Sequence, residues 1–172
     1  PLRERLYEEI VARIKQDDAS VPYRKRGYWY YRRYETGQQY PVYARRQGSP
    51  DGAEQVMLDA NELARGHDFY SIGALEVSHD DRYLAWAEDT VGRRQYVLRI
   101  KDLATGEVLP DRIGNTDGDM AWTADGRSVL YVEKDPRTLL GWRVRRHVLG
   151  TDPGGDALVY EQEDLSFYTG LA

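Results

Sequence analysis

Two segments of this chain decide its fold: "VSHDDRYLAWAED", Val77 to Asp89, and "WTADGRSVLYVEK", Trp122 to Lys134. They align without gaps at a spacing of 45 residues, and after one inserted residue the match resumes with Tyr96 on Trp142. The matched pairs are Asp80 with Asp125, Arg82 with Arg127, Leu84 with Val129, Trp86 with Tyr131, and Glu88 with Glu133. Self-similarity at a fixed period predicts a repeat architecture.

The repeat unit has the composition of strands and turns. From Gly27 onward, short runs rich in Tyr, Trp, Val, Ile and Leu alternate with Gly, Asp, Asn and Pro. "GYWYYRRYETGQQYPVYARRQ" predicts a first pair of strands around a turn at Gly37, and "SHDDR" and "TADGR" predict tight turns, with Gly126 suited to one of them. About four short strands per period is typical of a β-propeller blade. We therefore predict an all-β fold, a partial propeller of about two and a half four-stranded blades.

The two ends of the chain differ from the repeat. Leu2, Leu6, Ile10 and Ile14 recur every four residues and predict one amphipathic helix, 2–15, that closes before Pro22. "DFYSIGAL" from Asp68 is echoed by "SFYTGLA" from Ser166, so we expect a new unit to begin near the end of the chain. The expected organisation is an N-terminal helical extension, 1–20, and a partial propeller, 21–172, cut inside a repeat array.

Composition excludes several classes of function. Of the 172 residues 41% are hydrophobic and 31% charged, and cysteine is absent. This is typical of a soluble globular protein without disulfides or thiolate metal sites, and we expect it in the cytoplasm. The net charge of −5 argues against a nucleic-acid partner, and no apolar run is long enough for a membrane helix.

Catalytic motifs are missing from the sequence. No G-x-S-x-G nucleophile elbow occurs, and His67, His79 and His147 stand far apart, without the spacing of metal ligands. "DPGGD" follows a strand without a following helix, so it predicts a turn rather than a phosphate cradle. We expect no catalytic residue, no metal and no cofactor in this chain.

The charged stretch "EDTVGRR" joins two apolar runs. Glu88 and Asp89 precede it, and Arg93 and Arg94 end it. It is either a reaction centre or a hairpin tip held by local ion pairs, and the repeat favours the hairpin because it places the stretch between the middle strands of one blade.

Longer strings resemble a known family. These are "VPYRKRGYWYYRRYETGQQYPVYARR", "GHDFYSIGALEVSHDDRYLAWAEDTVGRRQYVLRIKDLATGEVLPDRI" and "VLYVEKDPRTLLGWRVRRHVLGTDP". Together they look like the propeller half of the prolyl oligopeptidase family of serine peptidases, and "AED" with "GRRQY" is more similar to its oligopeptidase B branch (protease II). The resemblance runs from about Leu6 to Ala172.

The resemblance implies a seven-bladed propeller capping a C-terminal α/β-hydrolase domain, which would be the main partner of this chain. Members of the branch cut short peptides after Arg or Lys, and their catalytic Ser, Asp and His lie in the hydrolase domain, so none is carried over here. The propeller excludes folded proteins, and charged residues facing the hydrolase domain form bridges that differ between open and closed states. Glu88 is the first candidate for such a residue, followed by Arg93 and Arg94.

Two alternatives stay open. The parent could be a proline-specific member of the same family, which would differ mainly outside this chain. A free-standing propeller that acts as an interaction scaffold is the alternative from a different class.

Overall fold

The computed structural model describes residues 1–164 and 166–171 and shows two compact units, Pro1–Arg65 and Gly66–Ala172. The predicted division into an extension, 1–20, and a propeller, 21–172, stays a prediction. Each unit is built around an antiparallel sheet.

The first unit contains one four-stranded sheet in the order β1-β2-β3-β4. In this sheet Tyr31 pairs with Ala44, which confirms the predicted first pair of strands, and Gly37 in the connection has a φ of 80°. The elements of the unit are α1 (Leu2–Ala12), β1 (Tyr23–Lys25), β2 (Tyr28–Arg33), β3 (Val42–Gln47), β4 (Glu54–Asp59) and α2 (Ala60–Leu63).

The helices differ from the expectation in two ways. Helix α1 ends at Ala12, three residues early, and its side chains Leu2 and Ile10 are 70% and 60% exposed. Because the apolar stripe of α1 is exposed and no residue of the helix is buried among the described residues, the helix is stabilised by local propensity alone, and it ends early. The second helix, α2, is a single turn that was not predicted; its cap is Asp59, whose side chain accepts a hydrogen bond from Asn61 N.

The second unit contains one seven-stranded sheet in the order β11-β10-β9-β8-β7-β6-β5. A short 3-10 turn, Pro153–Gly155, lies where "DPGGD" predicted a turn. The strands are β5 (Ser71–Val77), β6 (Tyr83–Asp89), β7 (Tyr96–Asp102), β8 (Val108–Trp122), β9 (Ser128–Lys134), β10 (Gly141–Val148) and β11 (Ala157–Glu161).

Strand β8 belongs to two four-stranded sets. Its first half pairs with β7, where Ile113 faces Leu98, and its second half pairs with β9, where Met120 faces Tyr131. The first set is β5 to β8 and the second set is β8 to β11. With the sheet of the first unit, residues 1–164 and 166–171 contain three four-stranded sets, the last of which is completed by β11.

The repeat seen in the sequence is a repeat in three dimensions. Ser78 N donates to Tyr83 O at 2.8 Å, and at the matching turn Thr123 N donates to Ser128 O at 3.0 Å. The next matched pair, Asp81 and Gly126, has φ values of 60° and 66°. Both predicted tight turns are confirmed, and Asp81 takes the left-handed conformation that its partner takes as a glycine.

The second echo, Ser166 to Ala172, ends on a residue outside the described range. Its described part runs beside β10, because Thr169 N donates to Gly141 O at 2.7 Å. Phe167 and Tyr168 are 61% and 77% exposed.

The core of the second unit lies between its two sets. Trp122 Nε1 donates to Glu76 O at 3.0 Å, which ties the second half of β8 to β5. Burial of each large apolar side chain there contributes about 1.5–3 kcal/mol. The core residues are Ala85, Ala87, Leu98, Ile100, Ile113, Met120, Trp122, Val129 and Tyr131.

Candidate functional site

The connection between β6 and β7, residues 90–95, is a hairpin tip held by one carboxylate. Asp89, only 2% exposed, accepts hydrogen bonds from Val91 N and Gly92 N at 2.9 Å and from Arg94 N at 2.7 Å. Burial on its own would raise the pKa of Asp89, but the backbone donors outweigh it and hold the pKa below its usual range. The tip therefore has a fixed backbone.

Arg93 and Arg94 lie on this tip and are exposed. Arg94 has a φ of 54°, and its carbonyl accepts a hydrogen bond from Lys134 Nζ at 2.6 Å, so the second set also supports the tip. Within the described part of the chain neither guanidinium forms an ion pair. The tip thus presents two positive charges to solvent on a rigid support.

Glu88 lies below the tip and has local partners. Its side chain is 13% exposed. Its Oε2 accepts from Tyr70 Oη at 2.9 Å and from Trp86 Nε1 at 3.2 Å, and its Oε1 lies 3.4 Å from Arg99 Nη1. Burial, and then the Glu88 carboxylate, raise the pKa of Tyr70, which keeps this hydroxyl a proton donor.

The same arrangement recurs in the second set. Glu133 occupies the position that matches Glu88, and its Oε2 accepts from Arg145 Nε at 2.6 Å. Arg145 faces Tyr131 across the sheet just as Arg99 faces Trp86. The structure therefore brings Glu88 together with Arg99 and leaves Arg93 and Arg94 apart from it. Tyr70 and Arg99 are members of this site that sequence reasoning missed, because strand register decides the pairing.

Acidic groups lie at the same end of the sheet as the hairpin tip. Thr116 pairs with both Tyr96 and Glu133, which places the following residues, Asp117 and Asp119, beside the tip. Burial raises the pKa of Asp117 to about 6, although the hydrogen bond that Asp117 accepts from Asp119 N opposes this rise. This end of the sheet therefore carries charges of both signs.

A second polar cluster is buried at the opposite end of β10. His147 Nδ1 lies 2.8 Å from Asp156 Oδ1, and His147 Nε2 lies 2.8 Å from Asp111 Oδ1. Sequence reasoning treated His147 as isolated, although Asp111 and Asp156 are separated by the same 45 residues as the repeat. His67 and His79 are exposed and lie outside this cluster.

Among the described residues neither cluster contains a hydrogen-bonded serine nucleophile or a set of metal ligands. The buried cluster holds its histidine between two carboxylates, and no serine or threonine hydroxyl is hydrogen-bonded to it among the described residues. Across 1–164 and 166–171 no group of His, Asp and Glu side chains is arranged to bind a metal ion. No helix in these ranges has the length and apolar content needed to cross a bilayer.

Comparison with known proteins identifies the family. The model of the prolyl oligopeptidase N-terminal β-propeller domain matches residues 1–172. The chain belongs to this family. The sequence resemblance to it and the partial propeller fold are both confirmed.

Individual relatives of this propeller are peptidases by name. It is 54% identical over 99% of its length to dipeptidyl aminopeptidase BI of Pseudoxanthomonas mexicana, and 36% identical over 95% to protease 2 of Moraxella lacunata. Among solved structures it matches oligopeptidase B of Leishmania major with a TM-score of 0.90 and 31% identity, over 95% of this chain and 23% of that one. It spans about a quarter of the two curated relatives, 26% and 25%.

Proposed function

We propose that this propeller is the access-controlling segment of a serine peptidase that hydrolyses short peptides after Arg or Lys. The observation that carries the proposal is the match to oligopeptidase B, with a TM-score of 0.90 over 95% of the chain. Catalysis would belong to a C-terminal hydrolase domain, the partner of the propeller, and short basic peptides would be the substrates. The propeller itself would supply no catalytic residue.

A second candidate is the release of dipeptides from free N-termini. The 54% identity to a dipeptidyl aminopeptidase over 99% of the chain favours it. Both candidates would use a hydrolase domain outside this chain, and they would differ in how the N-terminus of the peptide is held.

The decisive experiment compares four fluorogenic substrates on the full-length protein. The first substrate is a peptide with a blocked N-terminus and Arg before the scissile bond, and the second is a dipeptide with a free N-terminus before that bond. The third and fourth are blocked peptides with Pro or Ala in place of the Arg. Each is assayed with and without a serine-reactive fluorophosphonate. We expect the blocked Arg peptide to be cleaved at least tenfold faster than the Pro and Ala peptides, and the fluorophosphonate to abolish cleavage.

Each other outcome selects an alternative. Cleavage of the free dipeptide substrate alone supports the second candidate. Faster cleavage of the Pro peptide identifies a proline-specific enzyme, and no cleavage of any substrate supports the interaction scaffold.

We also propose that the hairpin tip contacts the hydrolase domain and contributes to gating. Arg93 and Arg94 are exposed on a tip whose backbone is fixed by Asp89, so their charges need little ordering on contact. Glu88 has its contacts inside the blade and would act through the tip. Excluding water when the two domains close would strengthen the electrostatics of the active site.

Charge variants test this role. The double change Arg93→Glu and Arg94→Glu is expected to change kcat/KM for short peptides by about fivefold, because an exposed ion pair is worth up to about 1 kcal/mol. The effect should shrink at high salt, since exposed pairs are screened. Glu88→Gln is expected to change turnover without changing the fold.

Glu133→Gln is the matched control, because it removes the same carboxylate from the next set. Equal kinetics for Glu88→Gln and Glu133→Gln would make Glu88 a hairpin residue only. Unchanged kinetics in the double Arg variant would remove the tip from gating.

A further inference from the structure

A buried row of four polar side chains joins the two sets of the second unit. Asp111 lies on the half of β8 that belongs to the first set, and Tyr131, His147 and Asp156 belong to the second. The side chains of Asp111, His147 and Asp156 are 1%, 0% and 1% exposed. We call these four residues the clasp.

Each carboxylate of the clasp has more than one partner. Asp111 Oδ1 also accepts from Gly150 N at 2.6 Å, which holds the turn after β10. Asp156 Oδ2 accepts from Tyr131 Oη at 2.9 Å. The clasp therefore links β8, β9, β10 and the start of β11 through its hydrogen bonds.

The hydrogen count of the clasp is unusual. A neutral imidazole has one N–H donor and one bare acceptor nitrogen. Both nitrogens of His147 face carboxylate oxygens at 2.8 Å. With a neutral ring and two carboxylates, one nitrogen lone pair would point at an anionic oxygen of a side chain only 1% exposed, which is strongly unfavourable. Two hydrogen bonds require one additional proton.

The surroundings exclude Asp111 Oδ2 as the position of this proton. Asp111 Oδ2 is buried and has no hydrogen-bond partner, so a proton there would be a buried donor without an acceptor. We infer that the folded clasp carries one proton more than a neutral histidine and two carboxylates, and that this proton locks the two sets together.

Charged groups around the clasp are few. From β10, Arg145 Nη1 donates to the backbone oxygen of Asp156 at 3.0 Å and is itself paired with Glu133 of β9. From β9, the hydroxyl of Tyr131 donates a hydrogen bond to Asp156. Burial, and then this hydrogen bond, raise the pKa of Tyr131, so the hydroxyl keeps its proton. Asp152 and Arg112 in the flanking segments are exposed.

A pH dependence follows from the additional proton. In the opened state, in which 141–161 has locally unfolded, the imidazole is hydrated and no longer needs the additional proton. A hydrated imidazole is mostly neutral above about pH 7. Opening in this range therefore releases a proton, and the equilibrium for opening rises with pH.

Hydrogen exchange of the full-length protein tests the inference. Amide exchange of peptides covering 141–161 is measured by mass spectrometry at pH 6.5, 7.5 and 8.5 in the wild type and in Asp111→Asn. The asparagine can donate to or accept from a neutral ring, so the variant needs no additional proton. We expect opening in the wild type, relative to the variant at the same pH, to increase up to tenfold between pH 7.5 and 8.5.

Two controls separate a proton from a merely structural contact. Tyr131→Phe removes one hydrogen bond of the clasp but leaves its proton count, so it should raise opening at every pH and keep the wild-type pH dependence. In the wild type alone, peptides covering 83–102 report the preceding set, which has Lys101 where the second set has His147. This comparison remains available if Asp111→Asn does not fold.

The inference is overturned by parallel pH profiles. If 141–161 and 83–102 of the wild type open with the same pH dependence after correction for intrinsic exchange, the clasp holds no additional proton. Equal pH dependence of the wild type and Asp111→Asn has the same meaning. Neither result depends on peptidase activity, so the proposed function is tested separately.

Discussion

Replacing His147 by alanine is expected to lower the free energy of unfolding of the propeller by about 3–5 kcal/mol. The change removes the group between two buried carboxylates and leaves Asp111 and Asp156 without their shared partner. A buried charge without a partner costs far more than the hydrogen bond it has lost. The loss would be measured as a shift in the urea midpoint for unfolding of residues 141–161, with hydrogen exchange in the full-length protein as the probe.

His79→Ala is the matched control for this change. His79 is exposed in the turn between β5 and β6, so its removal should shift stability by less than about 0.5 kcal/mol. A loss below about 1 kcal/mol for His147→Ala would show that water reaches the carboxylates and that the clasp is not the closed cluster described above.

Trp86→Ala is expected to cost about 3–5 kcal/mol, the range for truncating a large buried aromatic residue. Trp86 is 1% exposed on β6, the largest of the fully buried side chains. The change would leave a cavity at a fully buried position of β6 and remove one of the donors to Glu88. The measurement is the urea midpoint of peptides covering 83–102 in the full-length protein.

Trp86→Phe separates the two consequences. It keeps most of the buried ring but has no indole N–H, so its loss should stay near about 1–2 kcal/mol. If both variants lost the same free energy, the hydrogen bond to Glu88 would dominate and the packing argument would be wrong.

The part of the fold that follows from local chemistry could be predicted. The turns at Asp81 and Gly126 were predictable because Asp and Gly carry their turn geometry in their own side chains and backbones. The hairpin tip between Glu88 and Arg94 was predictable for the same reason, since the tip interrupts two apolar runs. Because these turns recur with a period of 45 residues, they also predicted the repeated four-stranded sets of a propeller.

Pairings across strands could not be predicted. Whether Glu88 meets Arg99 or Arg93 depends on register, and a shift by one residue would move each side chain to the other face. The contact of His147 with Asp111 spans 36 residues and two sets. The sequence signal that pointed to this cluster is the separation of Asp111 and Asp156 by 45 residues, which equals the repeat period.

Strand β8 has a consequence for how such a protein could lengthen or exchange its parts. A single strand, Val108–Trp122, is the last strand of one set and the first strand of the next. No loop separates the sets, so an inserted residue near Asn115 would invert the alternation of every side chain that follows in the strand. Insertions and recombination points are therefore better tolerated in the turns after β5 or after β8 than within the strand.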